Sequence, residues 1–258
     1  HTVATPAGGD WTAALLAAIR NGHHPNIRVV AVPTCHWTNG AAIDLVAVGA
    51  ACRAVGAALV VDATQSLGAV PLSVDAVQPD FLVAAGYKWL LAPYGTGLLY
   101  VAPAWHGARP LEESWLSREG AEDFAGLVRY ADAYQPGARR FDVGEKGTPT
   151  LLPGMVATLR QLQAWGVPAI AASLAAINAQ IAEPLQALGF TLLPAAQRSP
   201  HILGASLPDG RAGPLLAALR AQDVHISQRG SSLRFAPHVH VSDDDGQRLL
   251  QALRAALT

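Results

Sequence analysis

The sequence predicts an α/β protein: a large unit built on a mixed, mostly parallel sheet, followed by a small C-terminal α+β unit. Three observations carry this expectation. Short apolar runs at 27–32, 58–61 and 81–84 alternate with segments of helical apolar spacing, the order of βαβ units. Within each run consecutive residues are apolar rather than every second one, as suits parallel strands covered on both faces. Hydrophobic residues make up 51% of the 258 positions and charged residues only 14%, against a usual charged share of about 25%, so the chain has ample material for a buried core.

From 10 to 19 apolar residues recur at helical spacing, with Asp10 as N-cap and Asn21-Gly22 as a stop, which gives a short surface helix. The run Ile-Arg-Val-Val-Ala-Val at 27–32, bounded by Pro25-Asn26 and Pro33, reads as a buried strand. Leu45, Val48, Gly49 and Cys52 restore helical spacing over 44–55, and Gly56 ends that helix. Residues 58–61 and 81–84 form the next two strands. A further strand at 97–101 follows the turn Pro93-Tyr94-Gly95-Thr96. That connection is too short for a right-handed crossover, so the strand is expected to run antiparallel to its predecessor. Residues 103–150 are aperiodic and rich in Pro, Gly, Arg and Glu, the pattern of long loops that carry function or meet a partner. Helices follow at 151–165 and 170–188, with Pro168 between them and Pro184 as a kink. Beyond Gly189 come strands at 190–193 and 201–207, a helix at 213–221, a strand pair at 224–227 and 232–235, and a last helix at 243–257. The boundary falls within 165–185; we place it after residue 170, giving units 1–170 and 171–258.

Several function classes are disfavoured by composition. Lys plus Arg number 18 and Asp plus Glu 19, a net charge of −1, which leaves no basic footprint for nucleic acid or an anionic membrane. Asp44, Arg53 and Asp62 interrupt the longest apolar region, well short of the roughly 20 residues of a membrane helix. The opening His-Thr-Val-Ala-Thr-Pro has no signal-peptide pattern. Cys35 and Cys52 form neither a disulfide framework nor a Cys-x-x-Cys motif, in keeping with reducing, cytoplasmic surroundings.

The most informative stretches are Leu59-Val60-Val61-Asp62-Ala63-Thr64-Gln65-Ser66 and Ala84-Ala85-Gly86-Tyr87-Lys88-Trp89. Each sets polar residues directly after a buried strand. Open α/β sheets bind ligands outside the carboxyl ends of their strands, so Asp62, Gln65 and Lys88 are expected to converge on one crevice. An acid, an amide and an amine suit pyridoxal 5'-phosphate. That cofactor needs a lysine for its Schiff base and a carboxylate to keep the pyridine nitrogen protonated, so that the ring acts as an electron sink.

Asp62-x-x-Gln65, then Lys88 twenty-three residues later, inside Val-Asp-Ala-Thr-Gln-Ser-Leu-Gly and Gly-Tyr-Lys-Trp-Leu-Leu-Ala-Pro-Tyr-Gly-Thr-Gly, resembles the class V aminotransferases. That family includes cysteine desulfurases, kynureninase and isopenicillin N epimerase-like proteins, all of the fold type I pyridoxal-phosphate architecture. Trp37-Thr38-Asn39-Gly40 with Asp44, Gly137-Ala138-Arg139-Arg140-Phe141-Asp142, and Arg229-Gly230-Ser231-Ser232-Leu233-Arg234-Phe235-Ala236-Pro237-His238 extend the resemblance along nearly the whole chain. It implies Lys88 as the Schiff-base lysine, Asp62 as partner of the pyridine nitrogen and Gln65 as partner of the phenolic oxygen. Tyr87 would reach the cofactor phosphate, Arg234 would grip the substrate carboxylate, and Thr148 in Gly147-Thr148-Pro149 would contact the phosphate across a homodimer. The family's phosphate-binding loop and ring-stacking residue are expected upstream of His1, so the chain corresponds to the family without the N-terminal part of its large domain. Ala85 stands where several relatives carry Ser. No cysteine lies between Val224 and Pro237, where a desulfurase of the family keeps its persulfide-forming thiol.

The implied activity is transamination of an amino acid, with racemisation or epimerisation and β/γ-elimination as alternatives. A catalytically incomplete unit that keeps the fold and dimerises is a second class of reading. A metal-dependent hydrolase using His225, His238 and His240 is a third, although no Cys or acidic ligand accompanies them at zinc-site spacing. Gly8-Gly9 reads as a turn rather than a phosphate cradle, and Asp243-Asp244-Asp245 as helix-start acids rather than a calcium site. Cys35 beside His36 reads as a small buried residue near the crevice rather than an activated thiol, and Arg139-Arg140 as an interface or solvated pair.

Overall fold

The computed structural model describes residues 1–20, 26–207 and 212–257. Helix α1 (Trp11–Arg20) starts at Asp10, whose Oδ1 accepts the Ala13 amide at 2.9 Å, and it buries Leu15 and Ile19. The expected stop at Asn21-Gly22 lies outside the described residues. Strand β1 (Val29–Pro33) follows. Helix α2 (Leu45–Val55) is capped by Asp44 on Ala47 and ends at Gly56 in the left-handed conformation, φ 69°. Strands β2 (Ala58–Asp62) and β3 (Phe81–Ala85) are joined through α3 (Val74–Val77), a single turn capped by Ser73. Four residues are too few to leave a helical period in the sequence, and α3 was not foreseen. Strand β4 (Gly97–Val101) has the expected bounds.

These four strands form one sheet in the order β1-β2-β3-β4. β1, β2 and β3 are parallel, whereas β4 runs antiparallel to β3, as the short connection requires. Asp62 is in register with Val83, so the carboxyl ends of β2 and β3 open side by side. Four 3₁₀ turns are the only helical pieces between β4 and residue 150.

Helices α4 (Leu152–Trp165) and α5 (Val167–Ala187) meet at 74°. Pro168 lies in the first turn of α5 rather than between the helices, because a missing N–H costs nothing where no intrahelical acceptor exists. α5 thus begins three residues before the expected start. Strands β5 (Thr191–Leu192), β6 (Leu203–Ser206), β7 (Ser227–Arg229) and β8 (Ser232–Phe235) make an antiparallel sheet in the order β5-β6-β8-β7. α6 (Ala212–Arg220) and α7 (Asp243–Leu257) pack together beside it. β7 starts later than the expected strand at 224–227. Residues 222–224 are spent ending α6: the Gln222 and Val224 amides both donate to the Leu219 carbonyl, and Asp223 is left-handed at φ 57°. α7 opens on a reciprocal cap, with the Asp245 amide on Ser242 Oγ and the Ser242 amide on Asp245 Oδ2.

Two apolar cores result. One joins β1 to β3 with α1, α2 and the α5 residues Ile170 and Leu174. The other joins the antiparallel sheet, α6 and α7 with Ile181 and Leu185 of the same helix. Ile177 packs against both. The loop after β1 is stitched to the segment before β6 and to β6 itself by backbone bonds Ala42 N to Gln197 O (2.8 Å), Ser199 N to Gly40 O (2.8 Å) and Gly204 N to Asn39 O (3.1 Å). This seam fixes β6 and β8 over the open end of β2 and β3. Among the described residues no single helix is long and apolar enough to cross a membrane.

Candidate active site

The chain turns sharply where β2 ends. Asp62 Oδ1 accepts the Thr64 amide at 2.9 Å, an Asx turn that leaves Oδ2 without a hydrogen bond among the described residues. Asp62 therefore holds its own loop in shape, as a strand-end Asp often does, and still exposes a carboxylate oxygen. Thr64 Oγ1 accepts the Ala85 amide at 3.0 Å and the Ala63 amide donates to Val83 O at 2.7 Å, so the loop after β2 is tied to the end of β3.

Beyond β3, Gly86 donates to Thr96 O and Ala92 donates back to Gly86 O, closing a loop that contains Tyr87, Lys88, Trp89 and Leu90. Trp89 and Leu90 are buried and anchor that loop in the core. Their neighbour Lys88 is left half-exposed, with no carboxylate in ion-pair reach among the described residues. Its Nζ lies 5.6 Å from the centroid of the Tyr87 ring, which stacks on Tyr94 at 4.3 Å.

The C-terminal unit grips Gln65 in two places. Arg234, on β8, donates from Nη2 to Gln65 Oε1 at 3.2 Å. Its Nε is buried without a partner, and burial, then the nearby Arg229, pull its pKa below the ordinary arginine value. His201, fully buried just before β6, donates from Nε2 to the Gln65 carbonyl and meets the Trp89 ring edge-on at 4.6 Å. Burial pulls its pKa down to about 4, so the imidazole is neutral at pH 7. Neither thiol is activated: burial raises the pKa of Cys35, and burial with the nearby Asp80 pushes Cys52 to about 11.

The structure thus brings Asp62, Gln65, Tyr87 and Lys88 to two tied loops, and adds Arg234 through Gln65. It does not bring Thr148 among them. Thr148 is half-exposed in the turn that starts α4, where its carbonyl accepts the Leu151 and Leu152 amides. Thr64, Trp89 and His201 were not foreseen as contributors. Thr64 and Trp89 lie inside the motifs already quoted, whereas His201 carries no local signal. Elsewhere, His225 faces Asp223 at 3.1 Å and His238 packs near Trp89 and His240. Among the described residues no three His, Cys, Asp or Glu side chains are grouped to hold a metal ion.

The family model for aminotransferase class-V matches residues 5–257. The chain belongs to the class V aminotransferase family. It is 29% identical over 227 residues to the uncharacterized aminotransferase YcbU of Bacillus subtilis, covering 87% of this chain and 58% of that protein. It is 35% identical over 104 residues to isopenicillin N epimerase of Streptomyces clavuligerus, covering 39% of this chain and 25% of that protein. The cystine lyase C-DES with glycine covalently linked to its PLP cofactor superposes with a TM-score of 0.82 at 21% identity, over 95% of this chain and 63% of that one. Pyridoxamine-pyruvate aminotransferase from Mesorhizobium loti gives 0.73 at 23%, over 95% and 63%. These likenesses show the fold, that of fold type I pyridoxal-phosphate enzymes. The class V chain described here spans less than two thirds of the length of these relatives.

The residues present fit pyridoxal phosphate by their donor chemistry. Among the described residues, an amine without an ion pair and a carboxylate with a free oxygen stand on loops from adjacent parallel strands, the Gln65 amide follows on the carboxylate's loop, and a guanidinium bonded to it keeps a buried N–H unspent.

Proposed function

We propose that this chain carries the lysine-bearing part of a pyridoxal-phosphate site and serves an aminotransferase acting on an amino acid. The observation that carries this reading is Lys88: an amine without an ion pair, held by the buried Trp89 beside the loop of Asp62 and Gln65. Bound pyridoxal phosphate supplies an electron sink for negative charge at the substrate Cα. Lys88 Nζ anchors the cofactor and, once free, takes the proton from Cα and returns it elsewhere. Asp62 offers its carboxylate to the pyridine nitrogen, Gln65 its amide to the phenolic oxygen and Tyr87 its hydroxyl to the phosphate, while Thr148 offers its hydroxyl to the phosphate held by a second copy of the chain. Arg234 orients the substrate through its carboxylate, a task suited to a planar guanidinium.

One class V activity is disfavoured by the chain's own residues. Desulfuration needs an accessible thiol, and both cysteines are buried outside 224–237. Epimerisation, supported by the similarity to isopenicillin N epimerase, uses the same Nζ and returns the proton to Cα; keto-acid formation against loss of optical activity distinguishes it from transamination. The partner is read as a second copy of the chain. Phe124, Val128 and Tyr130 turn 76%, 83% and 98% of their surface outward, which supports a homodimer. Units 1–170 and 171–258 are read as the two domains, their cores meeting within α5. Two unpaired, buried thiols support a cytoplasmic location.

The test is the visible absorption of the purified chain with pyridoxal phosphate, before and after borohydride. The expected result is a protein-bound band and, after reduction, a pyridoxyl group on the peptide containing Lys88, both lost in Lys88→Ala. An unmodified Lys88 in the wild-type protein would overturn the reading.

A further inference from the structure

His201 joins the two loops of the site from outside it. A carbonyl oxygen can only accept, so the bond to Gln65 O puts the imidazole proton on Nε2. The other ring nitrogen, Nδ1, is buried with no partner. The same ring lies at 78° to the Trp89 indole, 4.6 Å between centroids, and Trp89 is the chain neighbour of Lys88. One fully buried side chain therefore touches the backbone that follows Asp62 and the residue that follows Lys88. The two residues before it are held: Asn178 Nδ2 donates to Pro200 O at 2.8 Å and the Ser199 amide to Gly40 O at 2.8 Å.

We infer that His201 is a positioning residue, a neutral hydrogen-bond donor that sets the separation between the carboxylate loop at 62–66 and the lysine loop at 86–92. The inference rests on the roles proposed above for Asp62, Gln65 and Lys88. His201 thereby acts on the cofactor end of the crevice through Gln65 and Trp89. A hydrophobic ring at 201 can keep the contact with Trp89 but leaves the Gln65 carbonyl without its donor; a side-chain amide restores a donor without the ring.

Two variants separate these contributions, His201→Phe and His201→Gln. The first measurement is hydrogen exchange of the cofactor-free protein. In His201→Phe, peptides covering 62–70 and 86–92 are expected to exchange on the order of tenfold faster, the equivalent of one lost buried hydrogen bond, while β6 and β8 keep wild-type rates. The second is the titration of bound pyridoxal phosphate by its absorption. His201→Phe is expected to weaken retention on the order of tenfold and to move the pH midpoint of the band, and His201→Gln to return both toward wild type. Wild-type exchange in both loops together with an unmoved band in His201→Phe would overturn the inference. If the wild-type chain takes up no pyridoxal phosphate, the reading of Lys88 fails, and the exchange experiment still decides whether His201 locks the loops. Should His201→Phe not fold, nitrogen NMR of the wild-type imidazole decides: a neutral ring protonated on Nε2 is expected, and a ring protonated on Nδ1 or charged at pH 7 would overturn it.

Discussion

Residues 58–101 and 103–150 are adjacent in the chain and held in place by different physics. The first contributes three paired strands, and its connecting loops are pinned by backbone acceptors and by Trp89 and Leu90 in the core. The second has no strand and no α-helix, and neither apolar core has a member in it. Its organising group is Glu113, which accepts from Arg109 Nε at 2.8 Å, Arg118 Nη2 at 2.6 Å and the Tyr134 hydroxyl at 2.9 Å. The Arg118 guanidinium lies 4.0 Å from the Tyr134 ring centroid. Burial fixes one region whatever the salt, whereas exposed ion pairs fix the other weakly. The rigid region presents the lysine; the looser one presents apolar side chains outward.

The difference is broken most severely at Gly68. Its φ is +99°, and a Cβ there would lie 2.3 Å from the Trp89 carbonyl oxygen. Gly68→Ala combines a left-handed penalty with a backbone clash and is expected to cost about 3 kcal/mol, read by denaturant unfolding. Gly120, in the second region, also has positive φ (+76°) but opens on empty space. Gly120→Ala is expected to cost only about 1 kcal/mol. Equal costs at the two positions would remove the contrast.

A second test uses pH. The His201 pKa is about 4 in the folded chain and about 6.5 when unfolded. Between these values the unfolded chain binds the extra proton, so stability is complete above about 6.5 and falls as pH drops toward about 4. The loss is roughly 3 kcal/mol. Unfolding midpoints measured from pH 7 to pH 4 should show this acid limb in the wild type and a flatter one in His201→Gln. A limb unchanged by the substitution would place the acid sensitivity elsewhere.

The two regions were also unequally legible. β4 and its antiparallel sense followed from a four-residue turn, and α7 from the apolar spacing behind a run of first-turn acids. Asp62, Gln65 and Lys88 could be named because they stand at or just after strand ends, where an α/β sheet gathers ligand groups, and Tyr87 because the class V motif places it. The start of α5 was misplaced because proline is neutral in a first helical turn, and β7 because the end of α6 consumes residues 222–224. The bond from Arg234 to Gln65 spans 169 positions and that from His201 to Gln65 spans 136. Such contacts are products of the seam between the units, and no local pattern encodes them. In 103–150 the sequence offered the family motif at 137–142 and Thr148 but no sign of the Glu113 cluster, since a hub of exposed charges has no period.

If the outward apolar side chains of the second region are an interface, Val128→Asp should weaken self-association at least tenfold, about 1.4 kcal/mol, by burying a charge or losing the contact. Sedimentation velocity over a concentration series measures this. The thermal midpoint of the dilute monomer should stay at the wild-type value, because Val128 belongs to neither core. An unchanged association constant would leave these residues without a partner of the same kind.

The smallest thermodynamic effect is expected at the hub itself. Hydrogen bonds from Arg109 and then Tyr134 hold the Glu113 carboxyl below the usual carboxylate range, so its contribution is present at neutral pH and is lost as pH falls through that lowered value. The group is solvent-exposed and its partners are screened. Glu113→Gln should therefore leave the global unfolding midpoint where it is and release only the local order of 109–134. Limited proteolysis is the sensitive readout: cleavage within 109–134 should accelerate in the variant, and in the wild type it should accelerate with added salt. Cleavage in 58–101 should respond to neither change, because Trp89 and the Thr64 bond to Ala85 hold those loops without a net charge.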